Sequence, residues 1–147
     1  MSSSLNRLAR PGRLVLAALA LAGSLTACDA VKPTMERSKE YALYDYSSAI
    51  RWGDWDAAYD FVDPKFKKDH PLTSIDRERF KQVEIANYEV IAKNDHGAVI
   101  DQQVKIEIIN RHTQIPRTVN YLEHWTYDQE KKKWWLETGL PDITSQD

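Results

Sequence analysis

The pattern of apolar and polar positions divides the chain into three stretches. An almost wholly apolar run covers 14–25, a helical pattern covers 35–80, and an alternating pattern covers 83–138. In the helical stretch, apolar and small residues fall on one helix face at 42, 46, 49, 50 and 53. The pattern therefore predicts helices first and strands afterwards.

The helical stretch predicts one long helix and three shorter pieces. Gly53 ends the first helix, because glycine readily takes the positive φ of a helix C-terminus. Asp54 is placed to cap the second helix, and Pro64 is tolerated at the first position of the third. The predicted bounds are 35–53, 55–62, 65–68 and 74–80.

The alternating stretch predicts four strands joined by short turns. In the clearest of them, Ile100, Val104, Ile106 and Ile108 alternate with polar residues. The predicted bounds are 83–93, 98–111, 117–127 and 133–138. Helices followed by such strands predict an α+β domain, with N-terminal helices packed on one face of a four-stranded antiparallel meander.

The first apolar run has the composition of a secretory signal. Arg7, Arg10 and Arg13 precede it, and no acidic residue occurs among the first 28 positions. Its core has about 12 residues, whereas a spanning helix needs about 20, so cleavage is favoured over a retained transmembrane segment. We therefore predict that residues 1–27 are removed as a signal peptide.

The residues Leu25-Thr26-Ala27-Cys28 end this run and include the single cysteine of the chain. They resemble the lipobox of bacterial lipoproteins in both the cysteine and the apolar-small-small run before it. The resemblance implies cleavage between Ala27 and Cys28, a diacylglyceryl thioether on Cys28, and acylation of the new amino group. Two or more acyl chains hold a protein stably on a bilayer. The alternative is an ordinary signal peptide that leaves Cys28 as a free thiol.

Asp29 follows the cysteine directly. In enteric bacteria an aspartate there resembles the signal that retains a lipoprotein in the inner membrane. We expect a lipid-anchored protein on the periplasmic or extracytoplasmic face of the cell membrane, with the inner membrane favoured by Asp29. Residues 28–34 are then a tether, 35–141 the α+β domain and 142–147 a tail.

Charge and composition limit the classes of molecule that the mature chain is expected to bind. Removing 1–27 leaves 147 − 27 = 120 residues, and losing three arginines takes the net charge from −2 to −5. That length fits one domain, and an acidic balance without a basic cluster argues against nucleic acid. With Cys28 lipidated no cysteine remains, so stability must come from a core rich in aromatic residues.

A second resemblance lies at the predicted corner between the first two helices. The segment 49–59 reads Ala-Ile-Arg-Trp-Gly-Asp-Trp-Asp-Ala-Ala-Tyr and is similar to the first helix corner of small nuclear-transport-factor-2-like domains. The late Lys-Trp-Trp-Leu at 133–136 also resembles their final strand. The resemblance covers about 36–141. It implies a cone of curved strands wrapped around the first helix, with a pocket or a filled core between them.

Glu123 is the most unusual position of the predicted sheet. Alternation places it on the same side as Val119, Tyr121, Trp125 and Tyr127. If that side faces the helices, burial raises the pKa of Glu123 and makes it a candidate acid or base. We expect instead that it lies near the sheet edge or pairs with a cross-strand arginine or lysine.

If the cone has a pocket, we expect an aromatic-lined concavity near Tyr121, Trp125 and Trp134. In enzymes of the resembled superfamily a pocket carboxylate acts as a base and a tyrosine polarises a carbonyl, and Asp45 with Tyr41 or Tyr121 imitates that pair. Nothing in the spacing demands catalysis, so we expect no enzyme. The candidate pocket residues are Tyr41, Asp45, Tyr121, Glu123, Trp125 and Trp134.

We expect no metal ion and no cofactor. The aspartates at 54, 56, 60 and 63 lie on a predicted helix start and body, not in a calcium loop with a central glycine. The histidines at 70, 96 and 112 are scattered over predicted loops, and the chain has no glycine-rich phosphate loop.

Three functions agree with these patterns. The first is an envelope lipoprotein whose domain binds a small apolar or amphipathic ligand, or a protein partner, without catalysis. The second is a filled core whose outer sheet face forms a homodimer or a complex, with Ile109 and Leu122 as exposed apolar contacts. The third is a small isomerase- or dehydratase-like enzyme built around Glu123 or Asp45.

Overall fold

A computed structural model of the chain describes residues 34–143. The predicted signal peptide at 1–27, with its cleavage site at Ala27, lies outside the described residues. So do Cys28, Asp29 and most of the predicted tether, together with positions 144–147.

Helix α1, Met35–Trp52, begins and ends at the residues that its sequence indicates. The Thr34 side chain caps it by accepting a hydrogen bond from the Arg37 amide at 3.3 Å. Gly53 follows in the left-handed conformation at φ 70°, and its N–H reaches the carbonyls of Ala49 and Ile50. The prediction that glycine ends this helix is therefore confirmed.

Helix α2, Trp55–Tyr59, is shorter than predicted. Asp54 caps it as expected, because its carboxylate accepts a hydrogen bond from the Ala57 amide at 3.0 Å. The predicted end near Val62 was wrong, because Val62 leaves the helix and forms a parallel bridge with Leu136. A long-range contact with the last strand thus overrides the local helical pattern.

Two further short helices precede the sheet: α3, Pro64–Asp69, and α4, Ser74–Phe80. The Asp63 carboxylate caps α3, whose first residue is proline. Thr73 and Asp76 form a reciprocal capping box at the start of α4. Both caps satisfy backbone amides that the helices themselves leave unpaired.

The alternating stretch forms one antiparallel sheet in the order β1-β2-β3-β4. Its strands confirm the α+β class with a four-stranded meander and short connections. The pairing of β1 with β2 contains two register irregularities. Strand β1 is at the edge of the sheet, and such irregularities hinder an edge strand from pairing with another chain. The strand bounds are Val83–Asp95, Val99–Asn110, Pro116–Asp128 and Lys133–Leu136.

The core lies between one face of the sheet and the helices. Inward residues of β2 and β3 alternate with polar ones, as the period-two pattern predicts. Tyr46 and Ile50 of α1 and Ala58 of α2 are fully buried against this face. Ile143 is also fully buried, so the packed part of the chain extends at least two residues past the predicted domain end at 141.

Gly139 and Gly97 offer a matched test of packing at the C-terminal segment. Both have positive φ, 79° and 78°, but a Cβ on Gly139 would overlap the Phe66 ring, whereas one on Gly97 meets nothing within 4 Å. We expect Gly97→Ala to lower the free energy of unfolding by about 1 to 2 kcal/mol through backbone strain. Gly139→Ala should lower it by about 1 to 3 kcal/mol more, because Phe66 must move.

Urea denaturation followed by circular dichroism measures both values. Equal losses for the two variants would show that the segment after β4 does not pack on α3.

Candidate functional site

The buried carboxylate of Glu123 is the most unusual group in the interior. Its Oε1 accepts a hydrogen bond from the Tyr88 hydroxyl at 2.6 Å. Its Oε2 accepts one from the Gln102 side-chain amide at 2.6 Å and one from the Trp125 indole N–H at 2.9 Å. We call Tyr88, Gln102, Glu123 and Trp125 the Glu123 cluster.

The strand register brings the cluster together. Gln102 on β2 lies directly opposite Glu123 on β3 in the antiparallel ladder. Trp125 is two residues along the same strand, so it shares the inward face. Tyr88 reaches the carboxylate from β1, 35 positions away in the sequence. Three strands therefore each supply one donor.

Glu123 departs from the settings that its sequence position favours. It is fully buried, although it lies two residues before Trp125, where pairing with β4 begins, and its cross-strand partner is Gln102 instead of an arginine or lysine. These corrections have one cause: β1 lies beside β2 and adds a third strand, with its tyrosine, to the inward face. Local alternation carries no information about that neighbour.

Burial shifts the pKa values of two residues in the cluster. It raises the pKa of Glu123 above its usual value, although the hydrogen bonds from Tyr88, Trp125 and Gln102 oppose the shift. Burial also raises the pKa of Tyr88, and the neighbouring carboxylate adds to that effect. Because donors occupy both carboxylate oxygens, the cluster links three strands and does not present a free base.

Aromatic rings fill the space around the cluster. The Tyr46 ring meets the Trp125 ring edge-on, with centroids 5.1 Å apart, and Phe61 lies 6.2 Å from Trp125. Among residues 34–143 the buried Tyr46 hydroxyl has no hydrogen-bond partner. The Tyr121 hydroxyl bonds instead with Thr138 and with a backbone carbonyl. Burial raises the pKa of Tyr46 well above its usual value.

The six candidate pocket residues therefore do not share one concavity. Glu123, Trp125 and Trp134 are buried in the core, and Tyr121 is half-buried beside them. Tyr41 is 60% exposed and Asp45 is exposed. The reason is the helical period, because the face of α1 that carries Tyr46 and Ile50 packs on the sheet and turns Tyr41 and Asp45 away from it.

A groove of about 390 Å³ lies elsewhere, between helices α2 to α4 and the segment after β4. The Tyr59 hydroxyl shapes it by donating to the His70 carbonyl at 3.0 Å and accepting from the Leu72 amide at 3.2 Å. His70, Asp76, Arg79 and Asp142 add polar and charged groups to its lining. Its apolar lining consists of Tyr59, Phe66, Pro71, Leu72, Phe80, Leu140 and Pro141.

Sequence reasoning missed this groove for a physical reason. Its walls come from short helices and loops that are far apart in the sequence, so no periodic pattern marks them. The available signal was Gly139, which brings the last segment against Phe66 of α3. Leu140 and Pro141 follow it directly and lie in the groove wall.

The outer face of the sheet carries a histidine flanked by acidic side chains. His124 on β3 lies between two carboxylates, with Nδ1 2.6 Å from Asp101 and Nε2 3.7 Å from Glu137. Across the described residues, no group of three or more histidine, cysteine or acidic side chains has the arrangement of a metal site. Within 34–143, none of the helices combines the length and the apolar character needed to cross a membrane.

Substitutions at Glu123 test its charge separately from its shape. The raised pKa means that the folded state keeps its proton to higher pH than the unfolded chain, so the free energy of unfolding falls as pH rises above about 4.5. Glu123→Gln can accept from Gln102 and Trp125 and donate to Tyr88. We expect it to gain stability relative to the native chain as pH rises from about 5 to 8.

Glu123→Ala is the matched control, because it removes the acceptors as well as the charge. It leaves buried donors unpaired and should cost about 3 kcal/mol or more at every pH. Urea denaturation of the three proteins between pH 5 and 8 gives the comparison. A difference between the native chain and the Gln variant that does not change with pH would contradict a raised pKa.

Comparison with known proteins identifies a shared fold but no family. The chain matches no protein-family model and no curated protein. Among solved structures it is similar to a SEC-C motif containing protein from Rhodopseudomonas palustris, with TM-score 0.52 and 12% identity over 73% of this chain and 75% of that one. A SEC-C motif containing protein from Psychrobacter arcticus gives TM-score 0.52 and 13% identity over 74% of this chain and 62% of its own length. At such low identity the likeness describes the fold alone.

Proposed function

We propose that this protein is a bacterial envelope lipoprotein, anchored through acylated Cys28, whose α+β domain binds a small apolar or amphipathic ligand without catalysis. The observation that carries the anchor is Leu25-Thr26-Ala27-Cys28, directly after a basic start and a short apolar run. Several acyl chains make such an anchor stable. Asp29 favours the inner membrane, with the domain on the periplasmic or extracytoplasmic face.

We also propose that the domain has the cone arrangement of nuclear-transport-factor-2-like domains. Three features support it: the Gly53-Asp54 corner between α1 and α2, the helices-then-strands order, and the meander order of the sheet. In this proposal the interior of the cone is filled. The support is that Trp125, Trp134 and Tyr46 are buried there around Glu123.

The groove supports ligand binding outside that interior. Its volume of about 390 Å³ lies within the range of small-molecule sites, and apolar walls with a few polar groups are typical of such sites. The lining carries the guanidinium of Arg79 together with two carboxylates, those of Asp142 and of Asp76, the latter accepting hydrogen bonds from the Thr73 amide and hydroxyl. We place a negatively charged end of the ligand at Arg79. The full set of donors around Glu123 favours a binding role over a catalytic one.

Mass spectrometry of the native protein and of Cys28→Ser tests the anchor. We expect the native chain to start at Cys28 and to carry a diacylglyceryl group and an N-acyl chain. Cys28→Ser should keep its leader and carry no acyl chain, because serine has no thiol to form the thioether.

A double variant, Cys28→Ser with Asp29→Cys, is the matched control, since it keeps one cysteine but moves it one position from the Leu-Thr-Ala run. It should also remain unprocessed. A native chain with an intact leader, or a mature start without acyl groups, would contradict the anchor.

Charge reversal in α4 tests the groove. The probe is 8-anilinonaphthalene-1-sulfonate, which has an apolar body and one negative group. We expect Arg79→Glu to weaken its binding about fivefold or more, because a repelling carboxylate replaces the cation in the lining. Lys81→Glu is the matched control, because it makes the same charge change two residues away, at the C-cap of α4, where the ammonium pairs with Glu78.

Fluorescence titration of the three proteins gives the dissociation constants. Equal weakening by both substitutions would mean that the probe responds to overall charge and not to the groove.

A further inference from the structure

The outward face of α1 exposes three large aromatic side chains. Tyr41 is 60% exposed, Tyr44 is 67% exposed and Trp52 is 85% exposed. They follow one another at i, i+3 and i+11, a spacing that keeps them on one side of a helix. We call Tyr41, Tyr44 and Trp52 the α1 aromatic stripe.

Within residues 34–143, the rings of this stripe are exposed. Within the described part of the chain, none of the three rings stacks on another ring or lies under a cation. Aromatic residues of this size contribute large apolar surfaces, and an exposed group of them on one face marks an interaction surface. The opposite face of α1 already packs on the sheet through Tyr46 and Ile50.

We infer that the α1 aromatic stripe lies against the headgroup region of the bilayer in which Cys28 is anchored. This inference rests on the proposed lipid anchor. Only six residues separate Cys28 from Met35, the first residue of α1. A chain of that length spans at most about 25 Å even when fully extended. The anchor thus keeps α1 close to the membrane surface at all times.

The chemistry of the stripe fits that location. Tryptophan and tyrosine are enriched where membrane meets water, because their rings are apolar and their N–H or O–H groups remain hydrated. Tyr41 and Trp52 are eleven residues apart, about 16 Å along a helix. Both reach the same surface only when α1 lies parallel to it, as interfacial helices do.

The charges on this face predict how the contact responds to salt. Arg37 and Arg51 oppose Glu40 and Asp45, so the charged residues around the stripe sum to zero. Arg51 is in addition bound to the Ser47 hydroxyl and the Tyr88 carbonyl. The contact therefore depends on the aromatic rings. It should form on zwitterionic lipid and persist at high ionic strength.

Tryptophan quenching in vesicles tests the inference. The native, lipidated chain is reconstituted in phosphatidylcholine vesicles whose acyl chains carry bromine, which quenches indole emission on contact. We expect brominated lipid to reduce the emission relative to unbrominated vesicles. Trp52→Phe should lose most of that reduction, and raising the salt from about 0.1 to about 0.5 M should not change it. Trp135→Phe, which removes a half-buried tryptophan on β4, should keep it.

Three results would overturn the inference, and they are distinguishable. A chain whose mass shows no acyl groups on Cys28 removes the anchor and the membrane contact together. A lipidated chain whose quenching is the same in Trp52→Phe and the native protein leaves the anchor intact and refutes the contact. If Trp52 is shielded from aqueous acrylamide but not quenched by brominated lipid, the stripe is instead an interface with a second copy.

Discussion

The hydrogen bonds of the buried Glu123 carboxylate are the constraint on which the arrangement of the sheet depends. A charge-bearing group in a closed interior is stable only where donors replace water. Here the donors come from the three long strands, through Tyr88 on β1, Gln102 on β2 and Trp125 on β3. A slip of one residue in β1 or β2 would turn its donor outward and remove one hydrogen bond from the carboxylate, and a slip in β3 would move the carboxylate itself off the inward face. The cluster therefore specifies strand register more strictly than the apolar contacts around it, which tolerate repacking.

The same constraint explains why binding is proposed outside the core. Donors already occupy both oxygens of Glu123, and the rings of Tyr46 and Phe61 cover Trp125 at centroid distances of 5.1 and 6.2 Å. An interior ligand would have to displace aromatic packing and desolvated hydrogen bonds together. The groove between α2, α3, α4 and the last segment imposes no such cost. Its apolar walls already exist, and Tyr59 holds the loop at one end through two hydrogen bonds.

The local sequence pattern predicted the positions of the helices and strands far better than it predicted the contacts between them. Period-two alternation located all four strands, and Gly53 and Asp54 marked the α1–α2 corner, because these signals act within a few residues. The end of α2, the burial of Ile143 and the partners of Glu123 depend on contacts between distant positions. Tyr88 and Glu123 are 35 positions apart, and Val62 pairs with Leu136 across 74. The helical period of α1 did contain the information that separates Tyr41 and Asp45 from Tyr46. Placing Tyr41 and Asp45 in the candidate pocket overlooked it.

The two faces of helix α1 have different surroundings: one packs in the core and the other is exposed. Its inward face is held by Tyr46 and Ile50 and by the Lys39 ammonium, which lies 2.7 Å from the Asp95 carboxylate at the end of β1. Because these contacts fix the rotation of the helix about its axis, the direction of its outward aromatic face is fixed as well. A bilayer contact through that face would require no rearrangement of the core. It would also orient the groove, since the Gly53–Asp54 corner joins α1 directly to α2, which contributes Tyr59 to the groove wall. Membrane contact and ligand binding would then be coupled by geometry alone, without any conformational change.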